Sequence, residues 1–534
     1  MALEKWILPL IPVICSLFAA KGILHYFQLE SYQFSGYFRT LARNQKHAWL
    51  PGICVACGSL FLFYAFDIFV LREMPVWASI AFQCLVLPIA GGIGLGIAKI
   101  FSEKKPKKKF VYTGRVKRLY LVFFIVMCAL SFGLAHFSAP ILLALWAVIL
   151  PLVVALSGLL AWPWEKAISE IYFRDARRKL LSNPHLIRIG ITGSYGKTTV
   201  KHILGTILAE KYPTLITPAS FNTPMGVSRA IRSSLTPSYQ VFIGEMGARH
   251  VGDIKEMCRL VKPTIGILTS VGPQHLDTFK TVERVAKTKY ELIEALPNHS
   301  HSYFFNDHGI CEQLYKRTEK PKTLIAMEAG NGEVWCENMS VSAQGSTFDL
   351  CIQGKGSVQC TTSLLGEHNI QNILIAAAVA NDLSLTLKQI SHGVSKLVPI
   401  KSRMELISSP GGFTIINDGF NSNPSGAKAA LSVLSAFPKR RIVITPGMVE
   451  LGEKEADYNF DFGVCIAQNA DIAIVIGQKR AIPIIEGLRK GGFTSEQIFQ
   501  VSGFDESTAV LHSIVKPTDT VLYENDLPDN YQEA

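Results

Sequence analysis

A short glycine-rich segment carries the clearest chemical signal in the chain. The buried strand expected over 186–192 runs directly into seven residues typical of a phosphate-binding loop, namely Gly193, Ser194, Tyr195, Gly196, Lys197, Thr198 and Thr199. A helical pattern follows to about Lys211. Glycines let backbone N–H groups close around phosphate oxygens, and a helix N-terminus favours their charge. The segment therefore predicts a nucleotide phosphate site.

Two residues of this loop have specific expected roles. In phosphate loops the lysine reaches the outer phosphates, and the hydroxyl that follows it binds Mg²⁺. We therefore predict these roles for Lys197 and Thr198. The strict Walker spacing requires glycine at position 191, where this chain has isoleucine. The loop is thus a shorter variant, and its place between a strand and a helix supports the prediction.

Groups that could bind a metal follow the phosphate loop. The second expected strand carries Glu245, whose carboxylate leaves the C-terminal edge of a sheet, where Mg²⁺ can lie beside phosphates. The third expected strand leads to His275, and the helix after it carries Lys289. Taken singly, His275 fits a structural loop histidine and Lys289 fits a solvated helix charge. Their order after the phosphate loop is what suggests chemistry.

Composition divides the chain into an apolar first part and an ordinary globular remainder. The 534 residues suffice for three or four domains, and long uncharged runs crowd into the first 162 residues. The formal charge of +11 suggests nucleic acid or an anionic membrane as a partner. Basic residues lie beside the apolar runs and do not alternate with aromatic ones. We therefore predict a lipid bilayer as the partner, and no nucleic acid.

The cysteines do not indicate a metal or redox site. Eleven are scattered along the chain, and several lie inside apolar runs. Cys54 and Cys57 form a CxxC pair, but no second pair or histidine is near it. We interpret them as small apolar residues of a reduced, intracellular protein.

Five apolar stretches predict five membrane-spanning helices. They lie near residues 6–24, 49–70, 76–98, 119–137 and 140–162. A spanning helix needs about 20 apolar residues, and the first stretch is the weakest because Lys21 interrupts it. A cleaved signal peptide is the alternative for that stretch, although no clear small-residue cleavage site follows it.

Basic residues also predict the orientation of these helices, because Lys and Arg favour cytoplasmic loops. Two connections are basic, and they contain Arg39, Arg43 and Lys46 after the first stretch and Lys104, Lys105, Lys107, Lys108, Lys109, Arg115, Lys117 and Arg118 after the third. The other two connections are nearly neutral. This predicts a multi-pass protein of the cytoplasmic membrane, with everything after Trp162 in the cytoplasm. Residues 163–183 then form an amphipathic connector along the headgroups, or a solvated linker helix.

From the phosphate loop onward the sequence resembles the Mur ligase family, most closely its MurF-like branch. The family writes the loop as GTxGKT, and residues 222–226 are similar to its asparagine loop. Glu245 and His275 fall where the family binds magnesium. Lys289, fourteen positions after His275, takes the place of the family's carbamylated lysine. The resemblance implies ATP and two Mg²⁺ ions as cofactors, one held by Thr198 and Glu245 and the other by His275 and carbamylated Lys289.

Later motifs extend the resemblance to about residue 525. Residues 366–372 match GxHNxxN, which implies that Asn369 and Asn372 approach the adenine. Arg403 corresponds to the arginine that begins the C-terminal domain and reaches the phosphates.

Two further motifs follow in the C-terminal domain. Residues 416–424 match IxDxYNANP, which implies that Asp418 approaches the ribose. Residues 447–452 resemble GDMxELG, to which no role is assigned.

Together these observations predict a multi-domain protein. A transmembrane domain of about five helices occupies 1–162 and the connector 163–183. An α/β central ATP-binding domain with a mostly parallel sheet occupies 184–402. A Rossmann-like α/β C-terminal domain occupies 403–534.

The resemblance implies an ATP-dependent ligase that makes an acyl phosphate, which an amine then attacks to form an amide. Lys197, Arg403, His275 and Lys289 are the expected catalytic residues. The expected substrates are a nucleotide-linked or lipid-linked cell-wall precursor and an amino acid or dipeptide amine. A ligase for a polyglutamate-like polymer or capsule is one alternative, and a non-enzymatic membrane sensor or transporter with a degenerate nucleotide module is another.

Two departures from the family bear on the substrates. Membrane spans stand where MurF proteins have a soluble domain that grips the UDP-sugar. The family's C-terminal lysine-glycine-serine segment is absent, and residues 522–531 have a different, acidic sequence.

Overall fold

The computed structural model describes residues 4–68, 75–101, 109–136, 140–420 and 422–527. The chain divides into two compact units, with the boundary between Glu170 and Ile171. The basic run at 104–108 and the segment 528–534 lie outside the described residues.

The described part of the first unit is helical. Its helices are α1 (Glu4–Ala19), α2 (Lys21–Leu29), α3 (Phe34–Arg43), α4 (Gln45–Phe66), α5 (Val76–Ile100), α6 (Gly114–Ala135), α7 (Pro140–Leu145) and α8 (Leu150–Leu181), with a 3-10 turn at Trp146–Ile149. By length and composition, four segments could cross a membrane: Gln45–Phe66, Val76–Ile100, Gly114–Ala135 and Ile141–Leu181. The bent pair α1 and α2, with 46° between its axes, makes a fifth if it counts as one span.

The connector expected over 163–183 is not a separate element, because α8 runs through it to Leu181. Glu165 to Leu181 contains no glycine or proline, so nothing in the backbone interrupts the helix after Pro163. Its last turns carry Phe173, Ala176 and Leu180, which are buried in the core of the second unit.

The central domain is built on a nine-stranded sheet. Its strands are β1 (Ile187–Thr192), β2 (Thr214–Ile216), β3 (Val241–Glu245), β4 (Ile265–Leu268), β5 (His301–Phe305), β6 (Lys322–Ile325), β7 (Val334–Ser342), β8 (Gly345–Ile352) and β9 (Gly356–Thr362). The order is β2-β3-β1-β4-β5-β6-β7-β8-β9. Strands from β2 to β7 pair in parallel, and β7, β8 and β9 pair antiparallel. The mostly parallel sheet is confirmed, and the antiparallel meander extends one edge.

Helices cover both faces of this sheet. They are α9 (Lys197–Leu208), α10 (Pro224–Ser234), α11 (Asp253–Val261), α12 (Leu276–Phe279), α13 (Val282–Ala295), α14 (Ile310–Arg317), α15 (Glu367–Asp382) and α16 (Leu387–Ser395). Apolar side chains of α9 and α15 pack on one face, and those of α11 and α13 pack on the other. Strand β3 is buried at every position, as expected of a parallel strand covered on both sides.

The C-terminal domain is a second α/β layer structure. Its strands are β10 (Glu405–Ser408), β11 (Thr414–Asp418), β12 (Arg441–Thr445), β13 (Ile472–Ile476), β14 (Ile498–Val501) and β15 (Thr520–Glu524), and its helices are α17 (Pro424–Ser435), α18 (Glu455–Asn469), α19 (Ala481–Lys490) and α20 (Phe504–Ile514). The sheet order is β10-β11-β15-β12-β13-β14, with only β10 antiparallel. The last strand thus inserts between β11 and β12, which brings its end beside Asp418.

Candidate active site

The phosphate loop lies between β1 and α9, as predicted, and two glycines give it its shape. Gly193 and Gly196 have φ of 152° and 77°, which side chains other than glycine rarely adopt. A Cβ on Gly193 would lie 2.1 Å from the Thr269 hydroxyl oxygen. A Cβ on Gly196 would lie 2.6 Å from the Asn372 Oδ1. Only glycine therefore fits at either position.

Ser270 and Gly272 brace the loop from the end of β4. The amide of Ser194 donates to the Ser270 carbonyl at 2.8 Å, and the amide of Tyr195 donates to the Ser270 hydroxyl at 2.9 Å. The Ser194 hydroxyl donates to the Gly272 carbonyl at 3.0 Å. These amides are used within the loop, so the donors left for an anion are the backbone N–H groups of the first turn of α9, where half-buried Thr199 also lies.

Lys197 sits under the loop it belongs to. Its ammonium donates to the carbonyls of Gly193 at 2.6 Å and Ser194 at 3.0 Å. Burial lowers the pKa of Lys197 to about 8 against the opposing charge of Glu245, with a smaller contribution from Arg403 in the same direction as burial. A desolvated ammonium of this kind interacts strongly with phosphate.

Glu245 is the acceptor on which the donors of this site converge. Its Oε2 accepts from the Thr198 hydroxyl at 3.0 Å and from the Lys201 ammonium at 3.1 Å, and its Oε1 accepts from the Asn222 amide at 3.1 Å. Burial alone would raise the pKa of Glu245, but Lys201 and Lys197 lower it below its ordinary value. The carboxylate is therefore charged at neutral pH.

Sequence reasoning missed Lys201, which is fully buried and also donates to the Ala219 carbonyl. A signal for it existed, because a lysine four residues after Lys197 on a helix lies on the same face. The apolar neighbours Val200 and Leu204 mark α9 as a buried helix. A lysine in such a helix needs a partner.

Lys289 lies close enough to Lys197 and Glu245 for their charges to interact, and His275 lies close enough to Lys289. The Nδ1 of His275 binds the Oε2 of Glu450, and burial lowers the pKa of His275 despite that carboxylate. Burial, followed by repulsion from Lys197, holds the pKa of Lys289 well below its usual value. Lys289 is 1% exposed, so it is not the solvated helix charge of the alternative interpretation.

The donor set fits magnesium to different degrees at the two expected positions. Thr198 and Glu245 offer a hydroxyl and a carboxylate, the hard oxygens that Mg²⁺ prefers, and the Lys201 ammonium already marks a cation position at Glu245. Within the described ranges, no three His, Cys, Asp or Glu side chains form a group that could hold a metal. His275 and an unmodified Lys289 therefore do not make a magnesium site.

The residues expected to approach the adenine, the ribose and the phosphates contact other groups of the protein. Asn369 is buried and donates to the Leu365 carbonyl at 2.8 Å, while Asn372 lies against the phosphate loop at Gly196. The Arg403 guanidinium lies 4.6 Å from the centroid of the Phe420 ring. Burial lowers the pKa of Arg403, and Asp418 and Glu245 oppose this. Arg403 thus reaches the charge cluster of the phosphate loop.

Comparison with known proteins places this geometry in a family. Residues 191–380 match the Mur ligase middle domain, and residues 402–523 match the Mur ligase glutamate ligase domain, together more than half of the chain. The chain belongs to the Mur ligase family. As a Mur ligase it is an ATP-dependent ligase that forms C–N bonds.

Its curated relatives include UDP-N-acetylmuramoyl-tripeptide–D-alanyl-D-alanine ligases. That of Haemophilus influenzae is 29% identical over 314 residues, 58% of this chain and 67% of the relative. That of Escherichia coli is 29% identical over 323 residues, 60% of this chain and 68% of the relative. This Mur ligase therefore aligns with about two thirds of the length of these proteins.

Solved structures share the fold. The crystal structure of MurF from Acinetobacter baumannii has a TM-score of 0.62 at 24% identity, covering 68% of this chain and 79% of that one. MurF from Thermotoga maritima in complex with ADP has a TM-score of 0.60 at 24% identity, covering 68% and 82%.

Two buried carboxyl groups, those of Asp418 and Glu524, lie next to each other in the C-terminal domain beside Arg403. Asp418 and Glu524 are register partners on adjacent parallel strands. Burial raises the pKa of Asp418 to about 6 against the influence of Arg403, and burial with the charge of Asp418 raises the pKa of Glu524 well above its ordinary value. The Ser422 hydroxyl donates to Glu524 Oε1 at 2.5 Å, and the Met404 amide donates to Asp418 Oδ1 at 3.1 Å.

We predict that Glu524→Gln removes a pH-dependent loss of stability. A carboxyl whose pKa is higher in the folded state stabilises the fold below its unfolded pKa, and this is lost as pH rises through the folded value. Glutamine mimics the protonated form at all pH. Between about pH 5 and about pH 8, the Tm of the wild-type chain in detergent should fall more than that of the variant, by about 2–4 °C per kcal/mol of destabilisation.

Glu496→Gln, at an exposed position of the same domain, is the control and should leave the pH profile unchanged. Equal pH slopes for wild type and Glu524→Gln would show that Glu524 is not held neutral.

Proposed function

We propose that the chain joins an amine to the carboxyl group of a cell-wall precursor, with its ligase domains at the cytoplasmic face of a membrane. The observation that carries this proposal is the convergence of Lys197, Thr198 and Glu245 at one sheet edge of a Mur ligase. Phosphoryl transfer needs positioning and charge neutralisation more than it needs a protein nucleophile. Lys197 and Arg403 would supply positive charge, and Thr198 and Glu245 would hold a Mg²⁺ that neutralises phosphate charge.

A second Mg²⁺ position fits this chain if Lys289 is carbamylated. The described residues offer the Lys289 ammonium no hydrogen bond or ion pair, and its lowered pKa favours the free amine. A free amine adds CO₂ and releases a proton, which gives an anionic carbamate. That change turns repulsion between Lys289 and Lys197 into attraction and supplies the oxygen ligands that Mg²⁺ prefers. His275 would be its neighbouring ligand.

The acceptor is the part of the function that the family leaves open. The match to the Mur ligase middle domain begins at residue 191, so residues 1–190 lie outside both family matches. Relatives bear names that specify a UDP-linked muramoyl tripeptide and D-alanyl-D-alanine. We propose that this chain takes the same class of peptide acceptor and a dipeptide amine. Helices that could anchor it at a bilayer favour a lipid-linked form of the acceptor.

A membrane location is supported by apolar surface on the first unit. Phe61, Trp77 and Ile100 expose two thirds or more of their side-chain surface, and each lies on a helix long enough to span. Large apolar side chains exposed in this way are unfavourable in water and favourable in the hydrocarbon of a bilayer.

Contacts within the first unit agree with the predicted topology at one end of the helices. The Gln28 side chain donates to the Val111 carbonyl at 2.8 Å, which joins the end of α2 to the segment before α6. Arg118 forms a bidentate ion pair with Glu165 at 2.5 and 3.0 Å. The connections after the first and third spans and the later part of α8 therefore share one end, the one predicted to be cytoplasmic.

Ring contacts extend the same pattern to the remaining helices. His47 at the start of α4 lies 6.3 Å from Phe101 after the end of α5. Trp6 near the start of α1 lies 5.7 Å from Phe132 near the end of α6. The start of α1 thus lies at the other end of the helices, which supports the predicted orientation.

The substrate proposal predicts a specific product. Membranes that contain the chain should release ADP and form an amide when given ATP, D-alanyl-D-alanine and a muramoyl tripeptide in nucleotide-linked or lipid-linked form. Lys197→Ala should lower this rate by about a hundredfold or more, because it removes charge at the transferring phosphoryl group. Lys211→Ala, beyond the far end of α9, is the matched control and should stay active.

A product of repeated glutamate addition with free glutamate as the amine would instead support the polymer ligase. ATP turnover that needs neither precursor nor amine would contradict both ligase functions.

Lys289→Ala should fold and bind ATP but lose ligase activity, because the metal-binding carbamate is gone. Acetate should restore part of the turnover by placing a small carboxylate in the vacated position. Lys287→Ala, at an exposed position on the same helix, is the control. It should change the folding stability by no more than about 0.5 kcal/mol and should keep its activity. Full activity of Lys289→Ala at limiting Mg²⁺ would refute the second metal site.

The topology predicts which introduced cysteines an impermeant maleimide can reach. In a background without the exposed native cysteines, Val76→Cys should react in intact cells. Lys46 and Lys117 are also at exposed positions, and Lys46→Cys and Lys117→Cys should react only after permeabilisation. Labelling of Lys117→Cys in intact cells would contradict the orientation.

A further inference from the structure

The short loop between β3 and α11 has a backbone that is held at several points. The amides of Arg249 and His250 both donate to Asp253 Oδ2 at 2.8 Å. The amide of Gly252 donates to Glu291 Oε1 at 2.7 Å. Because carboxylates of the same domain fix this backbone, the side chains of the loop stand on a scaffold that is ordered before a ligand binds.

The side chains at the tip of this loop are exposed. Arg249 exposes 56% of its side chain and His250 exposes 48%. Val251, the next residue, is 53% exposed. An ordered backbone that carries a cationic and an apolar side chain in open contact with solvent suits ligand recognition more than it suits packing.

The guanidinium of Arg249 is only loosely paired within the chain. Its Nη2 lies 3.4 Å from Glu450 Oε1, whereas charge-assisted hydrogen bonds between arginine and carboxylate are about 2.7–2.9 Å long. The other oxygen of Glu450 binds His275. Among the described residues, the Arg249 side chain makes an ion pair but no hydrogen bond, so its five N–H donors are available to a ligand.

Arg249 stands at the exposed end of a series of basic groups that begins at the phosphate loop. The charges of Arg249 and Lys289 both act on His275, and the charge of Lys197 acts on Lys289. The carboxylate of Asp253 offsets part of this charge, but two loop amides already occupy it. A row of one sign of charge raises the local concentration of ligands of the opposite sign. A ligand that reaches the phosphate loop from this side is therefore selected for negative charge.

We propose that Arg249 is a specificity residue that binds a carboxylate of the acceptor other than the one that reacts, so that the chain selects an acidic peptide. This inference rests on the proposed function, which places the reacting carboxyl of a peptide acceptor at the phosphate loop beside Lys197. Arg249 is exposed and lies further along the basic series, so it meets a second carboxylate of the same peptide. Its planar guanidinium matches a carboxylate with two parallel hydrogen bonds, and Val251 offers an apolar contact to the peptide next to it.

The test compares two muramoyl tripeptide acceptors in the same linked form. They differ in one non-reacting carboxyl, which is free in the first and a carboxamide in the second. The full chain in detergent receives ATP and D-alanyl-D-alanine, and kcat and KM are measured for each acceptor. The wild type should favour the free carboxylate by about 10–100-fold in kcat/KM, as expected of a hydrogen-bonded pair of charges.

Arg249→Gln should raise the KM of the free-carboxylate acceptor by about the same factor and abolish the preference. Its kcat and its KM for ATP should stay near the wild-type values, because the lost contact is the same before and during the reaction. Arg249→Lys should restore part of the preference, because it returns the charge without the planar fork. Arg259→Gln, at an exposed position on α11, is the matched control and should keep the preference.

A role of Arg249 through Glu450 alone would give a different result. Loss of that ion pair would slow the reaction of both acceptors equally and would lower kcat, since neither acceptor would then contact Arg249. Equal slowing in Arg249→Gln would overturn the inference, as would a wild type without a preference for the free carboxylate.

Equilibrium binding of the two radiolabelled acceptors separates this inference from the proposed function. A wild-type chain that turns over both acceptors equally supports the ligase function and contradicts the Arg249 site. A wild-type chain that turns over neither, yet binds the free-carboxylate acceptor more tightly and loses this difference in Arg249→Gln, supports the site and contradicts the reaction. A chain that neither turns over nor binds either acceptor contradicts both.

Discussion

The charge balance around one buried carboxylate, that of Glu245, is the interaction on which the ligase domains depend. A carboxylate that is 1% exposed is strongly destabilising unless cations and donors surround it. Lys201, Thr198 and Asn222 meet this need from α9 and from the loop before α10. The phosphate loop is thereby tied to the neighbouring strand, in which Glu245 pairs in register with Ile191 of β1. A metal that enters here meets a carboxylate already charged and oriented.

The same balance explains why the lysines of the site differ in chemistry. Lys201 contacts Glu245 directly, whereas Lys197 faces loop carbonyls and Lys289 has no opposite charge in contact among the described residues. Burial acts on all three, but only Lys201 has a direct ion pair to offset it. Burial and repulsion from Lys197 therefore favour the neutral amine at Lys289, where the carbamate proposed above would relieve unfavourable electrostatics. Three buried lysines of one fold thus differ in their surroundings: Lys201 is paired with a carboxylate, Lys197 with backbone carbonyls, and Lys289 with neither.

Local patterns in the sequence predicted the elements well, since each pattern is set by neighbours in the chain. The strand expected over 186–192 is observed as β1 (Ile187–Thr192), and the helical pattern expected to about Lys211 is α9 (Lys197–Leu208). The phosphate loop followed from glycine positions that the backbone itself requires. Asn369 and Asp418 were placed by resemblance only, and their contacts with adenine and ribose stay predictions.

Partners distant in sequence could not be predicted in the same way. Glu245 lies 44 positions from Lys201, and Glu450 lies 175 positions from His275. No periodicity links such pairs, so neither Lys201 nor Glu450 was assigned a role. The continuity of α8 was missed for a different reason. The last apolar stretch was predicted to end near residue 162 and a separate connector to follow, although the residues after Pro163 favour helix throughout.

The contact between the ligase domains combines apolar packing with polar contacts. Leu365 of the central domain is buried in the core of the C-terminal domain, Ala343 packs against the same core, and a Cβ on Gly366 would lie 2.7 Å from Val433. The apolar part of the contact is therefore close-packed.

The contacts around His275 and Glu450 are hydrogen bonds and ion pairs, which water can replace at small net free energy. Interfaces of this polar kind between domains permit relative motion by default. The backbone between the domains is also conformationally special, because Ser402 and Met404 both have positive φ on either side of Arg403. Arg403 therefore sits where a small backbone change would move its guanidinium relative to the phosphate loop.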